Sequence, residues 1–155
     1  LFRRFGALLH WEKGRLICKK GSLQGISIDA SQIPDLVPAL AVTAAMADGT
    51  TEIYNAARLR IKESDRIQSV VAGLKALGAT VNENPDGMTI TGSSLHGGKV
   101  DGCNDHRIVM AFSVLAALIH DSCEISDRES IHKSYPSFFE DYKRLGGVFD
   151  VIDNR

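Results

Sequence analysis

Three short stretches repeat one pattern: Arg4-Phe5-Gly6-Ala7, Ala76-Leu77-Gly78-Ala79 and Arg144-Leu145-Gly146-Gly147. A basic residue (Arg4, Lys75, Arg144) stands one or two positions ahead of the apolar residue, and an apolar, strand-like run follows each glycine. The glycines lie 72 and 68 residues apart. A period of about seventy is too long for a solenoid but suits a repeated α/β unit of roughly two helices and several strands. The chain is therefore expected to begin inside a repeat, with Leu1–Phe5 as the end of a helix.

Hydrophobic spacing and turn residues predict the elements between these marks. Strands are expected at Ala7–Glu12 and Arg15–Lys19 around a Lys13-Gly14 turn, and at Gly25–Ala30. Pro34 is a natural first-turn residue for a helix running through Leu36, Leu40 and Ala44. Asp48-Gly49 ends it, and Thr50–Tyr54 is a strand. Ile67, Val70, Val71, Leu74 and Leu77 mark an amphipathic helix. Ser64 or Asp65 caps it, acids in its first turn suit the helix dipole, and Gly78 closes it. Asn84-Pro85-Asp86-Gly87 turns a hairpin between Thr80–Glu83 and Met88–Thr91. Val100 marks a short strand, Asn104–Ile119 a nearly wholly apolar helix, Cys123–Ser126 a strand, Pro136–Leu145 a helix and Val148–Ile152 a strand. From Gly25 the order is β-α-β-α-β-β, then β-α-β-α-β, without a low-complexity linker. A single compact domain of mixed α and β structure is the expectation.

Composition excludes several classes of function. A formal net charge of -1 and 6% aromatic residues give no footprint for a nucleic acid or an anionic membrane. The longest apolar run, Ile108 to Ile119, is too short to span a bilayer. Cys18, Cys103 and Cys123 are odd in number and far apart, which argues for reduced thiols in a cytosol-like compartment. Cys103 reads as a packing residue, and Trp11 and Phe5 as core or edge residues. None of the five histidines has metal-ligand spacing, and no metal is expected.

Charge gathers at four places, each at or just before an expected helix start: Asp35, the run Lys62-Glu63-Ser64-Asp65-Arg66, Asn104-Asp105-His106-Arg107, and Lys133. The second and third echo each other as ESDRI and NDHRI. Helix N-termini expose unpaired N–H groups, and an arginine there adds a bidentate fork for phosphate or carboxylate. Each cluster alone has an ordinary reading: a cap for Asp35, a solvated salt-bridge face for the lysine-glutamate run, a satisfied first-turn histidine for His106. Together they read as a site. Arg66, Arg107 and Lys133 would clamp a small anionic ligand, with Glu63 and Asp35 as an acid–base pair.

The stretches IDASQIPDLVPALAV, LRIKESDRI, CNDHRIVMAFSVLA and KSYPSFFEDYKRLGG, in this order and spacing, resemble the 5-enolpyruvylshikimate-3-phosphate synthase family. The likeness covers essentially the whole chain but only about a third of a typical member, its C-terminal part. It implies the inside-out α/β barrel of the enolpyruvyl transferases, built from repeated βαβαββ units. The chain would then divide into the end of one unit at 1–24, a second at 25–92 and a third at 93–155. The implied reaction transfers the enolpyruvyl group of phosphoenolpyruvate to the 5-hydroxyl of shikimate 3-phosphate and releases phosphate. It serves chorismate and aromatic amino acid biosynthesis in the cytoplasm and uses neither metal nor organic cofactor.

By the same resemblance, Asp35 contacts the shikimate hydroxyls and accepts the attacking hydroxyl's proton, and Lys62 binds the same substrate. Glu63 moves the proton at the phosphoenolpyruvate methylene carbon, and His106 holds Glu63 or the ligand. Arg66, Arg107 and Lys133 bind phosphoenolpyruvate, Lys133 also serving in catalysis. Arg58 stands where some members carry an asparagine, so one substrate contact is not carried over. The family's N-terminal domain supplies a further lysine, an arginine and a Ser-Ser-Gln cluster, none of which this chain contains. The chain alone is expected to be inactive, and the full-length protein monomeric, with no nucleic-acid or membrane partner. Two rival readings are the related transferase acting on UDP-N-acetylglucosamine and a non-catalytic βαβαββ binding module.

Overall fold

A computed structural model describes residues 1–152 of the chain. Leu1–Gly6 is a single hydrogen-bonded turn, in which Phe5 N–H donates to the Leu1 carbonyl at 3.2 Å. Strands β1 (Leu8–Glu12) and β2 (Arg15–Lys19) then form an antiparallel hairpin of their own. Trp11 on this hairpin is 69% exposed, whereas Phe5 is fully buried.

The next stretch builds a four-stranded sheet in the order β3-β4-β6-β5. Strand β3 (Ser27–Asp29) pairs in parallel with β4 (Thr50–Tyr54), which pairs antiparallel with β6 (Gly87–Thr91), itself hairpinned to β5 (Thr80–Asn84). The hairpin loop is the expected one, tightened until Asn84 pairs with Gly87. Helix α1 (Val37–Ala45) links β3 to β4, and α2 (Arg66–Ala76) links β4 to β5. Seven of the nine α1 residues are buried, as an almost wholly apolar helix requires. Beyond it, β7 (Gly98–Val100) and β8 (Cys123–Ile125) form a parallel pair joined by α3 (His106–Ala116), and α4 (Phe138–Arg144) follows. One apolar cluster runs from Phe5 through Ile28, Ile53, Leu74 and Ile90 to Phe112 and Leu115.

The backbone repeats itself beyond the sequence pattern. Gly6, Gly78 and Gly146 all take left-handed conformations, with φ of 99°, 84° and 98°. That region favours glycine because it has no Cβ. At Gly78 it closes α2: Gly78 N–H donates to the Lys75 carbonyl and Ala79 N–H to that of Leu74, at 3.0 and 2.9 Å. Asp29 and Asp101 each accept the backbone N–H two residues on, from Ser31 and Cys103. Asn55 and Asp127 are both left-handed (φ 56° and 57°), and each leads into a 3₁₀ helix. Ile28 pairs with Ile53 as Val100 pairs with Ile125. Every one of these pairs except Gly78/Gly146 is offset by 72 residues.

Several expected elements are corrected. Pro34 opens a 3₁₀ turn, Pro34–Leu36, and α1 begins only at Val37. The chain from Arg58 to Asp65 is a 3₁₀ helix (Ala57–Ile61) and a loop, so the first turn of α2 holds no acid and Asp65 is its cap. Helix α3 is shorter than Asn104–Ile119 at both ends; its start is set by the left-handed Cys103 and Asn104 and by the cap Asp105. The expected strand at Val148–Ile152 is absent: the segment lies unpaired, and Val148 is 89% exposed. Strand conformation needs a neighbouring strand to satisfy its N–H and C=O groups, and none pairs with it among the described residues.

Candidate active site

The site forms where α1, α2 and α3 begin. Asp35 sits in the 3₁₀ turn ahead of α1, Arg66 is the first residue of α2, and His106 and Arg107 are the first two of α3. At its centre is an aspartate that the sequence offered only as one member of a charged cluster. Asp105 is fully buried and its Oδ1 accepts from Arg107 N–H at 3.0 Å, capping α3. Oδ2 accepts from Arg66 Nε at 2.7 Å and from Ser64 Oγ at 3.0 Å, and Oδ1 also from Arg66 Nη2 at 3.2 Å. The Arg66 side chain is only 3% exposed. A buried charge pair demands this kind of saturation, because each partner alone would be an unsolvated ion. Burial pushes the Asp105 carboxyl upward, but Arg66, the Arg107 N–H and Ser64 outweigh it and hold it below the ordinary aspartate range.

Arg66 also reaches outward. Its Nη1 donates to Asp35 Oδ1 at 2.9 Å, while Lys62 Nζ stands 3.4 Å from the same oxygen. Arg107 Nη2 lies 3.5 Å from Asp35 Oδ2, and its Nη1 donates to the Asp35 carbonyl at 3.2 Å. Asp35, at 48% side-chain exposure, is thus an accessible carboxylate ringed by three cations. Its slight burial pushes its pKa up, but Arg107, Lys62 and Arg66 bring it below the usual value.

A second carboxylate faces the same opening. Glu63 Oε2 lies 3.0 Å from His106 Nδ1 and 3.3 Å from Lys133 Nζ. Lys133 Nζ donates as well to the Asn104 carbonyl at 2.6 Å. All seven residues singled out from the sequence (Asp35, Lys62, Glu63, Arg66, His106, Arg107 and Lys133) therefore converge. Two assumptions about their placement do not hold. Lys133 ends a 3₁₀ helix, Arg128–Lys133, five residues before α4, and is not at a helix start. The likeness of ESDRI to NDHRI is one residue out of step: the caps that correspond are Asp65 and Asp105, so Arg66 opens its helix while Arg107 is second in its own. The 72-residue offset instead pairs Asp35 with Arg107.

The sequence offered Ser64 only as a cap candidate and Arg60 only as one charge in a run. Ser64 does not cap α2 but donates to Asp105, and Arg60 ties the loop beneath Glu63 to a hairpin turn. Glu63, Asp105 and His106 bring possible metal-ligand atoms within 4.8 Å of one another. Both Asp105 oxygens already accept from Arg66, so this donor set belongs to an ion-pair network rather than a metal cage. Cys103 lies partly buried beside the site, and burial pushes its thiol pKa up, which makes it a poor nucleophile.

Helices packed at their N-termini around two carboxylates and four cations make a candidate site, in an α/β fold, with the chemistry to hold a small anion. Comparison with known proteins gives it a family. The family model for EPSP synthase (3-phosphoshikimate 1-carboxyvinyltransferase) matches residues 1–142, and the chain belongs to that family. A 3-phosphoshikimate 1-carboxyvinyltransferase of Clostridium acetobutylicum is 53% identical over 130 residues, covering 83% of this chain and 30% of the relative. That of Methanocella arvoryzae is 46% identical over 148 residues, 94% of this chain and 35% of the relative. The EPSP synthase of Acinetobacter baumannii superposes with a TM-score of 0.82 at 33% identity, over 97% of this chain and 39% of that one. The chain thus spans about a third of the length of the curated relatives it matches. Among the described residues no helix is long and apolar enough to cross a membrane.

Proposed function

We propose that the full-length protein to which this chain belongs transfers the enolpyruvyl group of phosphoenolpyruvate to the 5-hydroxyl of shikimate 3-phosphate, releasing phosphate. The observation that carries the reading is the convergence of Asp35 and Glu63 with four cations at one opening, in a member of this family. Addition and elimination on a small dianion build charge where pre-placed cations stabilise it with little reorganisation. Arg66, Arg107 and Lys133 are assigned to phosphoenolpyruvate, and Lys62 and Asp35 to shikimate 3-phosphate. The cations around Asp35 favour its ionised form, which suits it to accept hydrogen bonds from ring hydroxyls and the attacking hydroxyl's proton. Glu63 exchanges the proton at the methylene carbon, and His106 Nδ1, in contact with it, provides a route for that proton.

The chain is read as the end of one βαβαββ unit (1–24), a complete unit (25–92) and a third (93–155), of which residues 153–155 lie outside the described structure. Each cation rests on a carboxylate of this chain, so a second wall is needed to bring the substrates in, and the 155-residue chain alone is proposed to be inactive. The test is phosphate release by the full-length protein from phosphoenolpyruvate with shikimate 3-phosphate or UDP-N-acetylglucosamine as acceptor. Release with the first and not the second is expected. Release with the second alone would overturn the reading, and appreciable release by the 155-residue chain would overturn its inactivity.

A further inference from the structure

Lys62 and Glu63 stand on a loop with little backbone support. Between the Leu59 N–H, bonded to Ala56, and the Ser69 N–H, bonded to Asp65, no backbone-to-backbone hydrogen bond outside the helices holds the chain among the described residues. Ile61 in the same stretch is 85% exposed, so apolar packing does not hold the loop there either. Its side chains must fix it, and one of them makes four contacts.

Arg60 Nε donates to the Pro85 carbonyl at 2.9 Å and Nη2 to the Asn84 carbonyl at 2.8 Å. Its Nη1 bridges Glu83 Oε1 at 2.8 Å and Asp65 Oδ2 at 2.9 Å. Three of these acceptors belong to the turn of the β5–β6 hairpin. The fourth, Asp65, accepts the Gln68 N–H through its other oxygen and so caps α2. The start of the loop is tied to the same turn, because Asn55 and Ala56 N–H groups both donate to Asp86. The hairpin turn therefore brackets both ends of the loop, and Arg60 is the far clamp, two and three residues from Lys62 and Glu63.

We propose that Arg60 is a positioning residue for the reaction: it locks Lys62 and Glu63 at the distances that place them against Asp35 and His106. A planar fork with all three of its nitrogens engaged fixes both position and orientation, which a lysine ammonium cannot reproduce. The inference rests on the activity proposed above for its kinetic consequence, but its structural claim stands apart and is tested apart.

Three variants separate the possibilities: Arg60→Ala, Arg60→Lys and Glu83→Ala. In the 155-residue chain, two-dimensional NMR is expected to show Arg60→Ala moving the amide signals of Lys62, Glu63 and Ser64 and the His106 Nδ1 signal, with the core signals in place. Glu83→Ala, which meets the loop through Arg60 and lies outside the site, moves the same signals in the same direction by less, and Arg60→Lys fails to restore them. In the full-length protein Arg60→Ala lowers kcat by about 10- to 100-fold, the cost of a misplacement near 1 Å, with KM changed less. Unmoved Lys62–Ser64 and His106 signals in folded Arg60→Ala and Glu83→Ala overturn the proposal, as does a kcat within about twofold of the parent. A parent protein inactive on both acceptors sinks the activity reading and leaves the NMR comparison to decide this one.

Discussion

The stretches 25–92 and 93–152 carry the same backbone devices 72 residues apart and yet end differently. In the first, the outer edge of β4 is covered by β6, and the sheet reaches four strands. In the second, β8 holds the place of β4, but the sheet stops at β7-β8. A groove of about 550 Å³ runs beside β8, lined by α3, by Phe139 and Tyr142 of α4 and by the Val148–Ile152 segment. Ser130 Oγ, on the wall of that groove, is buried without a hydrogen-bond partner among the described residues. The site is nevertheless built equally from both stretches, Asp35 to Arg66 from one and Asp105 to Lys133 from the other. What it requires is the strand-to-helix turns, and these survive where the sheet is incomplete.

The largest effect is expected at the joint between the two. Asp105→Asn keeps the shape but leaves Arg66 buried without its main counter-charge, and it should cost about 3–5 kcal/mol in denaturant unfolding. A loss below about 1 kcal/mol would mean that apolar packing alone holds the stretches together. The next test compares equivalent strands. Ile53 is fully buried between paired neighbours, so Ile53→Ala should cost about 2–5 kcal/mol. Ile125 occupies the matching place in the two-stranded sheet and is only half-buried, so Ile125→Ala should cost clearly less. Equal losses would show that completing the sheet adds nothing to its core.

Most of this architecture was legible because it is written in local codes. Helical apolar periodicity in Ile67–Leu77 and the Pro85-Asp86 turn each act within a few residues, and both elements formed where expected. The convergence of the charged clusters was legible for a different reason: helix starts that repeat along the chain come together when the repeats pack. Other features depend on distant partners. Val148–Ile152 has a strand's pattern, but a strand exists only by pairing, and no local signal reports a missing neighbour. Asp105 reads as a cap from its position, whereas its burial against Arg66 follows from the packing of α2 on α3. Arg60 looks like one more surface charge until the hairpin turn folds over it.

That packing of α2 on α3 gives a smaller, sharper test. A Cβ at Gly73 would overlap the Phe112 ring, so the two helices approach as closely as glycine allows. Gly73→Ala gains up to about 1 kcal/mol in helix propensity against an overpacking cost of about 1–3 kcal/mol. A modest net loss in thermal midpoint is expected. If the variant were more stable, Phe112 would have room to move and the contact would not fix the spacing of Arg66 and Arg107.

The smallest signal lies in pH. Both Asp35 and Asp105 have carboxyls below the ordinary value of 3.8, Asp105 through Arg66 against its burial and Asp35 through Arg107, Lys62 and Arg66. A depressed carboxyl contributes stability that is fully present above its unfolded pKa and is lost as pH falls through the folded one. Denaturant midpoints should thus be flat from pH 7 to 5 with respect to these groups and fall below about pH 4. Asp35 is half-exposed and screened by solvent, so Asp105 dominates. Asp105→Asn should therefore flatten the acid limb, whereas Asp35→Asn should barely change it. An unchanged limb in Asp105→Asn would place the acid sensitivity outside the joint between the two stretches.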